Sequence, residues 1–212
     1  SILDKTVYET QQKYPVLQQH FVGWFVKTKI DCFEDSTATF MDFNIPQHGN
    51  TRFMYVLPID KNMALFEYTL FSKDLLEHSE YEDAIKDYLK EKKVTDYEIL
   101  EKENGAIPMT SFKFQELNSK SILNIGTVGG WTKASTGYTF YNTSKKTKDL
   151  VAFLKNEDDL SLFAKRTKFW FYDLLLLDVL ANNNDKGSAL FASIFKKVNV
   201  KTILKFLGED SN

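Results

Sequence analysis

Two acidic residues in this sequence lie inside segments that are otherwise apolar and aromatic. Glu67 lies in the middle of ALFEYTL, residues 64–70, and Asp42 lies in FMDFN, residues 40–44. A carboxyl group that bulky apolar neighbours shield from water has its charged form disfavoured, so its pKa rises and it can deliver a proton. The alternatives are that Glu67 points to solvent from a half-buried strand, and that Asp42 is a structural acid that accepts backbone N–H bonds.

A glycine-rich segment, residues 125–140 with the sequence IGTVGGWTKASTGYTF, is the second candidate for chemistry. Its pattern predicts a strand over residues 121–125, a glycine turn, and then a helix. Such a turn lets the backbone approach a phosphate or a flat cofactor, because glycine has no Cβ and a helix N-terminus offers unpaired N–H groups. No Gly-x-Gly-x-x-Gly motif follows a first strand in these 212 residues. The segment therefore predicts the second half of a cofactor enzyme.

The elements that position these residues are mostly strands in the first half of the chain and helices in the second. Alternating apolar, aromatic and β-branched residues predict strands, and turn residues 60–62 predict a hairpin. This order predicts an α+β fold, with a sheet-based lobe followed by a helical lobe. The predicted strands are residues 18–28, 36–44, 51–57, 63–72, 97–103 and 112–117. The predicted helices are residues 79–92, 136–155, 160–181, 188–196 and 199–207.

Composition excludes several classes of function. The chain has 27 basic and 29 acidic residues and a net charge of -2, which gives no argument for nucleic-acid binding. Its single cysteine, Cys32, excludes an internal disulfide and a Cys-rich metal site, and it fits a reducing cytoplasm. His20 and His48 have no metal-ligand spacing, so each is interpreted as structural or exposed and no metal site is predicted.

The segment FWFYDLLLLDVL, residues 169–180, is apolar nearly all round apart from two aspartates. The pattern is typical of a buried core helix. The alternative is a hydrophobic-ligand tunnel or a patch that rests on a membrane surface, so peripheral membrane contact is left open. No apolar run reaches the ~18 residues that a spanning helix needs.

Four segments together resemble the flavoprotein lycopene cyclases, the enzymes of bacterial carotenoid biosynthesis that make β-rings. They are residues 40–44 (FMDFN), 53–60 (FMYVLPID), 64–70 (ALFEYTL) and 126–138, which carries Gly-Gly and Ser-Thr-Gly-Tyr. Their order and spacing agree with the family from about residue 18 to about residue 154.

The resemblance implies a flavin-monooxygenase-like fold with three regions in this chain. Residues 1–120 would form a sheet-based substrate-binding lobe, residues 121–155 the second FAD-contacting strand-turn-helix, and residues 156–212 a helical lobe. The family's N-terminal FAD-binding βαβ unit has no counterpart here, so the chain is expected to be a C-terminal fragment that is inactive alone. The parent protein would bind FAD, reduced by NAD(P)H, and this fragment would lack it.

The implied reaction is the acid-catalysed cyclisation of lycopene, a polyene, with reduced FAD that is not consumed. The Phe-Leu-Glu-Glu-Thr-type motif of the family falls on residues 65–69, with its first acid at Glu67 and Tyr68 in place of the second. Glu67 would donate the proton and Asp42 would support it. Thr127 stands where related flavoproteins often have Asp, so it is assigned no flavin contact. The matching FAD-contacting positions are Gly126, Gly129, Gly130, Ser135, Thr136 and Gly137.

Two other functions remain open at this point. One is another FAD-dependent isoprenoid reductase or hydroxylase on the same scaffold, and the other is a non-catalytic module that binds a carotenoid or lipid. The expected partners of the leading interpretation are lycopene and the N-terminal FAD-binding domain. A cytoplasmic protein is expected, and peripheral membrane contact is left open.

Overall fold

The computed structural model describes residues 6–163 and 167–209. A five-stranded sheet and six α-helices among these residues confirm the α+β class. The strands are β1 (Leu17–Thr28), β2 (Thr39–Asp42), β3 (Thr51–Asp60), β4 (Met63–Ser72) and β5 (Tyr97–Met109). The helices are α1 (Thr6–Glu9), α2 (His78–Glu91), α3 (Phe140–Phe153), α4 (Lys168–Asn182), α5 (Gly187–Lys197) and α6 (Val200–Leu207).

The strands lie in the order β2-β3-β4-β1-β5. Strands β2 and β3, β3 and β4, and β4 and β1 pair antiparallel. The predicted hairpin is confirmed, since β3 ends at Asp60 and β4 begins at Met63. In this register Glu67 of β4 lies between Tyr55 of β3 and Gly23 of β1.

One face of the sheet, called the helix face here, packs against α2 and forms the hydrophobic core. Successive side chains of a strand point to opposite faces, so the residues between those of the core point the other way. That other side is called the acid face here, because Glu67 lies on it. The helix face includes Val22, Trp24, Val26, Met54, Phe66, Tyr68 and Leu70, packed on Tyr81, Ile85, Tyr88 and Leu89 of α2. The acid face includes Phe21, Gly23, Phe25, Phe53, Tyr55, Leu57, Leu65, Glu67 and Thr69.

Helix α2 begins with a capping box formed by Glu77 and Glu80. The Glu80 carboxylate accepts a hydrogen bond from the Glu77 backbone N–H, with Glu77 N and Glu80 Oε2 3.1 Å apart, and the reciprocal bond is also present. The four buried residues of α2 recur at helical spacing and form its apolar face. Helix α2 therefore covers one side of the sheet and leaves the acid face to other groups.

The chain divides into two compact units. The sheet unit contains Gln18–Ile107 and Asn183–Ala192, and the helical unit contains the described residues of Ser1–Leu17, Pro108–Asn182 and Ser193–Asn212. Within the sheet unit, Asn184 attaches the later segment to the strands. Its Oδ1 accepts from the Thr51 N–H at 2.7 Å, and its Nδ2 donates to the Phe71 carbonyl at 2.8 Å.

Helix α4 is buried on one side only. Leu177 and Leu180 are fully buried, whereas Phe171 and Leu175 are each about half exposed. Of the helices in residues 6–163 and 167–209, none has the length and apolar character to cross a bilayer. The predicted helix over residues 160–181 is a 3-10 turn at Leu160–Phe163 and then α4; its residues 164–166 lie outside the described residues.

The strand predicted over residues 121–125 is wrong. Among these residues only an isolated bridge between Ser119 and Ile122 is formed, and the Asn124 N–H bonds to Asn118 Oδ1 at 2.9 Å instead of to a strand. The helix start predicted at Thr136 is also wrong, because α3 begins at Phe140. The residues before it form local turn hydrogen bonds instead, such as the bond from the Gly137 N–H to the Lys133 carbonyl at 2.9 Å.

The strand predicted over residues 112–117 is wrong as well. Residues Phe114–Leu117 form a 3-10 helix, and the backbone of Lys113, just before it, is not extended. Strand β5 instead runs on to Met109, beyond the predicted end at Glu103.

Candidate active site

Glu67 lies at the centre of the acid face and is only partly exposed. Its carboxylate oxygen Oε1 accepts a hydrogen bond from the Thr69 hydroxyl at 2.7 Å. Tyr55 and Gly23 are its neighbours on the two adjacent strands. Glu67 therefore does not extend into bulk solvent from the outside of the sheet, which was the alternative that the sequence left open.

A chain of aromatic contacts passes across the acid face beside Glu67. The Tyr55 ring lies 5.5 Å from the Phe40 ring and 5.1 Å from the Phe53 ring, measured between centroids. The Phe53 ring in turn contacts Phe71 at 5.3 Å. Phe40 is 54% exposed and Leu57 is 50% exposed, so part of this apolar face is open to a ligand.

A second carboxyl group, that of Glu103 in β5, lies over Gly23. A Cβ at position 23 would lie 2.9 Å from Glu103 Cγ and 3.0 Å from Glu103 Oε1. Since Gly23 is directly opposite Glu67, the Glu103 carboxyl approaches Glu67 through the space that a side chain at position 23 would fill. Sequence analysis missed Glu103. The isolated glycine in an otherwise apolar strand was the available signal, because such a glycine often marks a close approach.

The titration of Glu67 reflects these surroundings. Burial raises the pKa of Glu67 to about 7, the hydrogen bond from Thr69 opposes this rise, and the nearby Glu103 carboxyl adds to it. Burial also raises the pKa of the Tyr55 phenol well above its usual value, and the charge of Glu67 adds to that effect. At neutral pH the site therefore holds a neutral phenol and a carboxyl group poised to gain or lose a proton.

Asp42 lies on the helix face, and the structure does not bring it together with Glu67. Its Oδ2 accepts from the Tyr88 hydroxyl of α2 at 2.8 Å, and its Oδ1 accepts from the Asn44 N–H at 2.9 Å. Burial works to raise the pKa of Asp42, but these bonds and the Lys92 ammonium 3.6 Å away outweigh it and hold the pKa below its usual value. This geometry fits the structural alternative, in which Asp42 fastens β2 to α2.

Position 68 faces the same side as Asp42. Tyr68 is buried in the core of the helix face, and its hydroxyl accepts from Arg52 Nη1 at 3.1 Å. Neighbouring residues of a strand point to opposite faces, so an acid at position 68 would not lie beside Glu67. Tyr68 in place of a second acid therefore removes no carboxyl group from the acid face.

The glycine segment lies in the helical unit, beside a cavity of about 580 Å³. Gly129 and Gly130 line the cavity, while Gly126, Ser135, Thr136 and Gly137 are not in its lining. At Gly129 a Cβ would overlap the Asn124 carbonyl, so close packing against the preceding backbone explains why position 129 is a glycine.

Ser135 makes an internal contact in the helical unit. Its hydroxyl donates to Asp173 Oδ1 of α4 at 2.6 Å, and the buried Lys133 ammonium bonds to the same oxygen at 2.7 Å. The Lys133 Nζ also lies 3.9 Å from the centroid of the Phe206 ring. These contacts anchor the glycine segment to α4, and they use the Ser135 hydroxyl that the sequence assigned to a cofactor.

The cavity also has polar groups that lack a protein partner. Both polar atoms of the Asn142 side chain, and the Ser111 hydroxyl, are buried without a hydrogen-bond partner among the described residues. Lys146 lies in the same lining and donates to the Gly130 carbonyl at 2.9 Å. Buried polar atoms of this kind normally bind something, so the cavity suits a ligand with hydrogen-bonding edges.

His20 has a structural environment on the helix face. Its Nδ1 lies 2.6 Å from the Tyr81 hydroxyl and its Nε2 lies 2.6 Å from the Ser72 hydroxyl. Burial lowers the pKa of His20 to about 4, and the Arg52 charge contributes. The ring is therefore neutral near pH 7 and connects β1, β4 and α2. His48 lies in an exposed turn.

Among solved structures, the chain resembles a geranylgeranyl bacteriochlorophyll reductase-like protein from Thermoplasma acidophilum. The TM-score is 0.52 at 13% sequence identity, and the match covers 92% of this chain and 52% of that one. The chain thus spans about half the length of this structural relative, and the likeness concerns the fold. No curated protein sequence matches the chain.

The family comparison is more specific. The model of the lycopene cyclase protein family matches residues 2–211, which is nearly the whole chain. The chain therefore belongs to the lycopene cyclase family, as the four sequence segments indicate.

Proposed function

We propose that this chain supplies the substrate-binding face and the proton donor of an enzyme that cyclises lycopene. The observation that carries the proposal is the position of Glu67, half-buried on an aromatic sheet face with its pKa raised to about 7. An acid of this strength is about half protonated at pH 7 and mostly protonated below pH 6, and it can still release its proton, which is what a general acid requires. Membership of the lycopene cyclase family supports the choice of substrate.

The proposed reaction begins when Glu67 transfers its proton to a terminal double bond of the polyene. The π electrons form the new C–H bond and leave a cation on the neighbouring carbon. A second double bond of the same chain closes on that cation and forms the ring, and loss of a proton from a ring carbon restores neutrality. Substrate and product have the same atoms and the same number of electrons, so the reaction is an isomerisation.

The acid face suits a cationic intermediate. The faces of aromatic rings attract positive charge, and this attraction is stronger where water is excluded. The Tyr55 ring, beside Glu67, lies between the fully buried Phe53 ring and the Phe40 ring, which is exposed in the open part of the face. A linear polyene on these rings would displace water from the carboxyl group and place its double bonds next to the acid.

FAD, reduced by NAD(P)H, is the cofactor we propose for the whole protein. In this chain the cavity of the helical unit is the part that fits it, because Gly129 and Gly130 line it without side chains and Asn142 offers an unpartnered amide. Bound reduced flavin would supply an electron-rich ring that stabilises positive charge. Asn142 and the Ser111 hydroxyl would hold its polar edge, and Lys146 would keep the Gly130 turn in place.

The test uses protein produced from its complete gene, supplied with FAD, NAD(P)H and lycopene under anaerobic conditions. We expect cyclic product with NAD(P)H used only to reduce the flavin once, and with no oxygen requirement. NAD(P)H consumed in proportion to product would instead identify an isoprenoid reductase. An absolute need for oxygen would identify a hydroxylase. Binding of the polyene without any product would favour a non-catalytic module.

A further inference from the structure

The acid face holds two carboxyl groups, although the local sequence motif holds only one. Glu67 and Glu103 belong to strands that are separated by β1, and side chains on such strands would normally have a third side chain between them. Here the intervening position is Gly23, and Glu103 Oε1 lies 3.0 Å from where its Cβ would be. The missing side chain is what lets the two carboxyl groups meet.

We propose that Glu67 and Glu103 form a carboxyl pair that shares a single proton across Gly23, with Glu103 positioning that proton on Glu67 for delivery to the substrate. The delivery to a polyene rests on the function proposed above. The sharing of a proton is a property of the site and does not depend on that function.

The charges around Glu67 favour one shared proton. From β3 it faces Tyr55, a phenol that stays neutral at physiological pH; from β1 it faces Gly23; and from β5 it faces Glu103. On its own strand the Thr69 hydroxyl donates to it. Among residues 6–163 and 167–209, no ion pair involves Glu67 or Glu103. Two carboxylates that approach each other across a glycine, with no cation to separate their charges, repel each other, so the pair retains one proton where a lone acid would lose it.

The pair also explains how a carboxyl group that is hard to ionise can still donate its proton to the substrate. With one proton the pair carries a single negative charge, and proton transfer leaves two negative charges beside the new cation. The repulsion that opposes ionisation is therefore offset by attraction to the positive charge on the substrate. When the ring carbon loses its proton, the pair takes that proton back and returns to its starting charge, so no other reactant is needed.

The first test is an infrared titration of the protonated carboxyl band of Glu67, assigned by its absence in Glu67→Gln. In the unaltered protein we expect the band to disappear around pH 7. In Glu103→Gln the neighbour has no charge and its amide can donate to the Glu67 carboxylate, so the midpoint should fall by about one pH unit. Glu98→Gln removes a charge from an exposed position of the same strand and should leave the midpoint where it was. A midpoint that Glu103→Gln leaves unchanged would overturn the pair.

A second variant reaches the same contact without altering either acid. In Gly23→Ala the new Cβ would lie 2.9 Å from Glu103 Cγ and 3.0 Å from Leu65 Cδ1, so the flexible Glu103 side chain must move off Glu67. The midpoint of Glu67 should then fall in the same direction as in Glu103→Gln. A Gly23→Ala protein that folds and titrates like the unaltered one contradicts the proposal, even if Glu103→Gln cannot be produced.

The kinetic test separates positioning from a merely structural role. Glu103→Gln keeps Glu67, so its kcat relative to that of the unaltered protein should be about tenfold lower at about pH 8 than at about pH 5, as a one-unit shift requires. A loss by the same factor at every pH would mean that Glu103 only supports the fold, and would contradict the pair. If lycopene is not cyclised at all, the proposed function fails, and the infrared titration alone still decides whether the pair exists.

Discussion

Two acids on the same sheet, Asp42 and Glu67, have opposite environments because they lie on opposite faces. Asp42 accepts hydrogen bonds from Tyr88 and Asn44 and has Lys92 nearby, and its pKa is held down. Glu67 receives one hydroxyl donor, has a second acid beside it, and its pKa is raised to about 7. Both lie in strands rich in Phe and Met, so the face, and not the local composition, decides which acid can deliver a proton.

This difference divides the sheet into a side that maintains the fold and a side to which we assign the proposed chemistry. The helix face is closed by α2, whereas the acid face combines the exposed Phe40 ring with a carboxyl group that is easily protonated. Substitutions should therefore separate cleanly: those on the acid face should change activity, and those on the helix face should change stability.

The largest expected effect is on turnover. Glu67→Gln preserves shape but cannot deliver a proton, so kcat for lycopene cyclisation should fall by about 10²- to 10⁴-fold. Asp42→Asn, the matched change on the helix face, should alter kcat far less. Comparable losses from the two variants, measured at a temperature where both are folded, would remove the distinction between the faces.

The next largest effect is on stability. Ile85 of α2 is fully buried on the helix face, so Ile85→Ala should lower the free energy of unfolding by about 2–5 kcal/mol. Leu57 is 50% exposed on the acid face, so Leu57→Ala should lower the free energy of unfolding by less than about 1 kcal/mol. Denaturant unfolding of both variants measures the difference. Equal losses would show that the acid face is as tightly packed as the core.

The raised pKa of Glu67 predicts that this carboxyl group lowers the stability of the folded protein by an amount that depends on pH. The unfolded chain loses the Glu67 proton near pH 4.5, whereas the folded protein keeps it until near pH 7. Because the folded state binds the proton more tightly, the free energy of unfolding falls as pH rises through that interval. Glu67→Gln should therefore match the unaltered protein at pH 4 and be more stable by about 2 kcal/mol at pH 8. A stability difference that does not change with pH would mean that the carboxyl group is well solvated.

Asp42 should show the opposite sign and a smaller effect. Its folded pKa lies below the unfolded value of 3.8, so its contribution is present above that value and is lost as pH falls through the folded pKa. Asp42→Asn should thus lower the free energy of unfolding by about 1 kcal/mol at pH 7 and by less at pH 3. A larger loss at pH 3 than at pH 7 would contradict the hydrogen-bonded, ion-paired geometry.

The hairpin that carries Glu67 could be predicted from the sequence because its signals are local. Alternation over residues 63–72 and the turn after Asp60 determine which strand holds Glu67 and where it begins. The face of Asp42 could not be predicted in this way. Met41 has a positive φ of 56° and the register shifts between Thr39 and Asp42, so simple alternation fails along β2.

The contacts that sequence analysis missed are long-range. Glu103 meets Glu67 only because β5 joins the far side of β1, where Gly23 has no side chain. In the helical unit, Ser135 belongs to a segment typical of cofactor binding, yet its hydroxyl bonds to Asp173, 38 residues away in the chain. Residue type and spacing identified both regions, but partners so distant in sequence carry no local signal.

Cyclisation in deuterated water tests the central claim, protonation of the polyene by an exchangeable acid, most directly. Because the shared proton exchanges with solvent, we expect the protein made from its complete gene to give product with one carbon-bound deuterium for each ring formed. Mass spectrometry of the purified carotenoid provides the measurement. Cyclic product without deuterium would contradict an acid-initiated reaction on this sheet face.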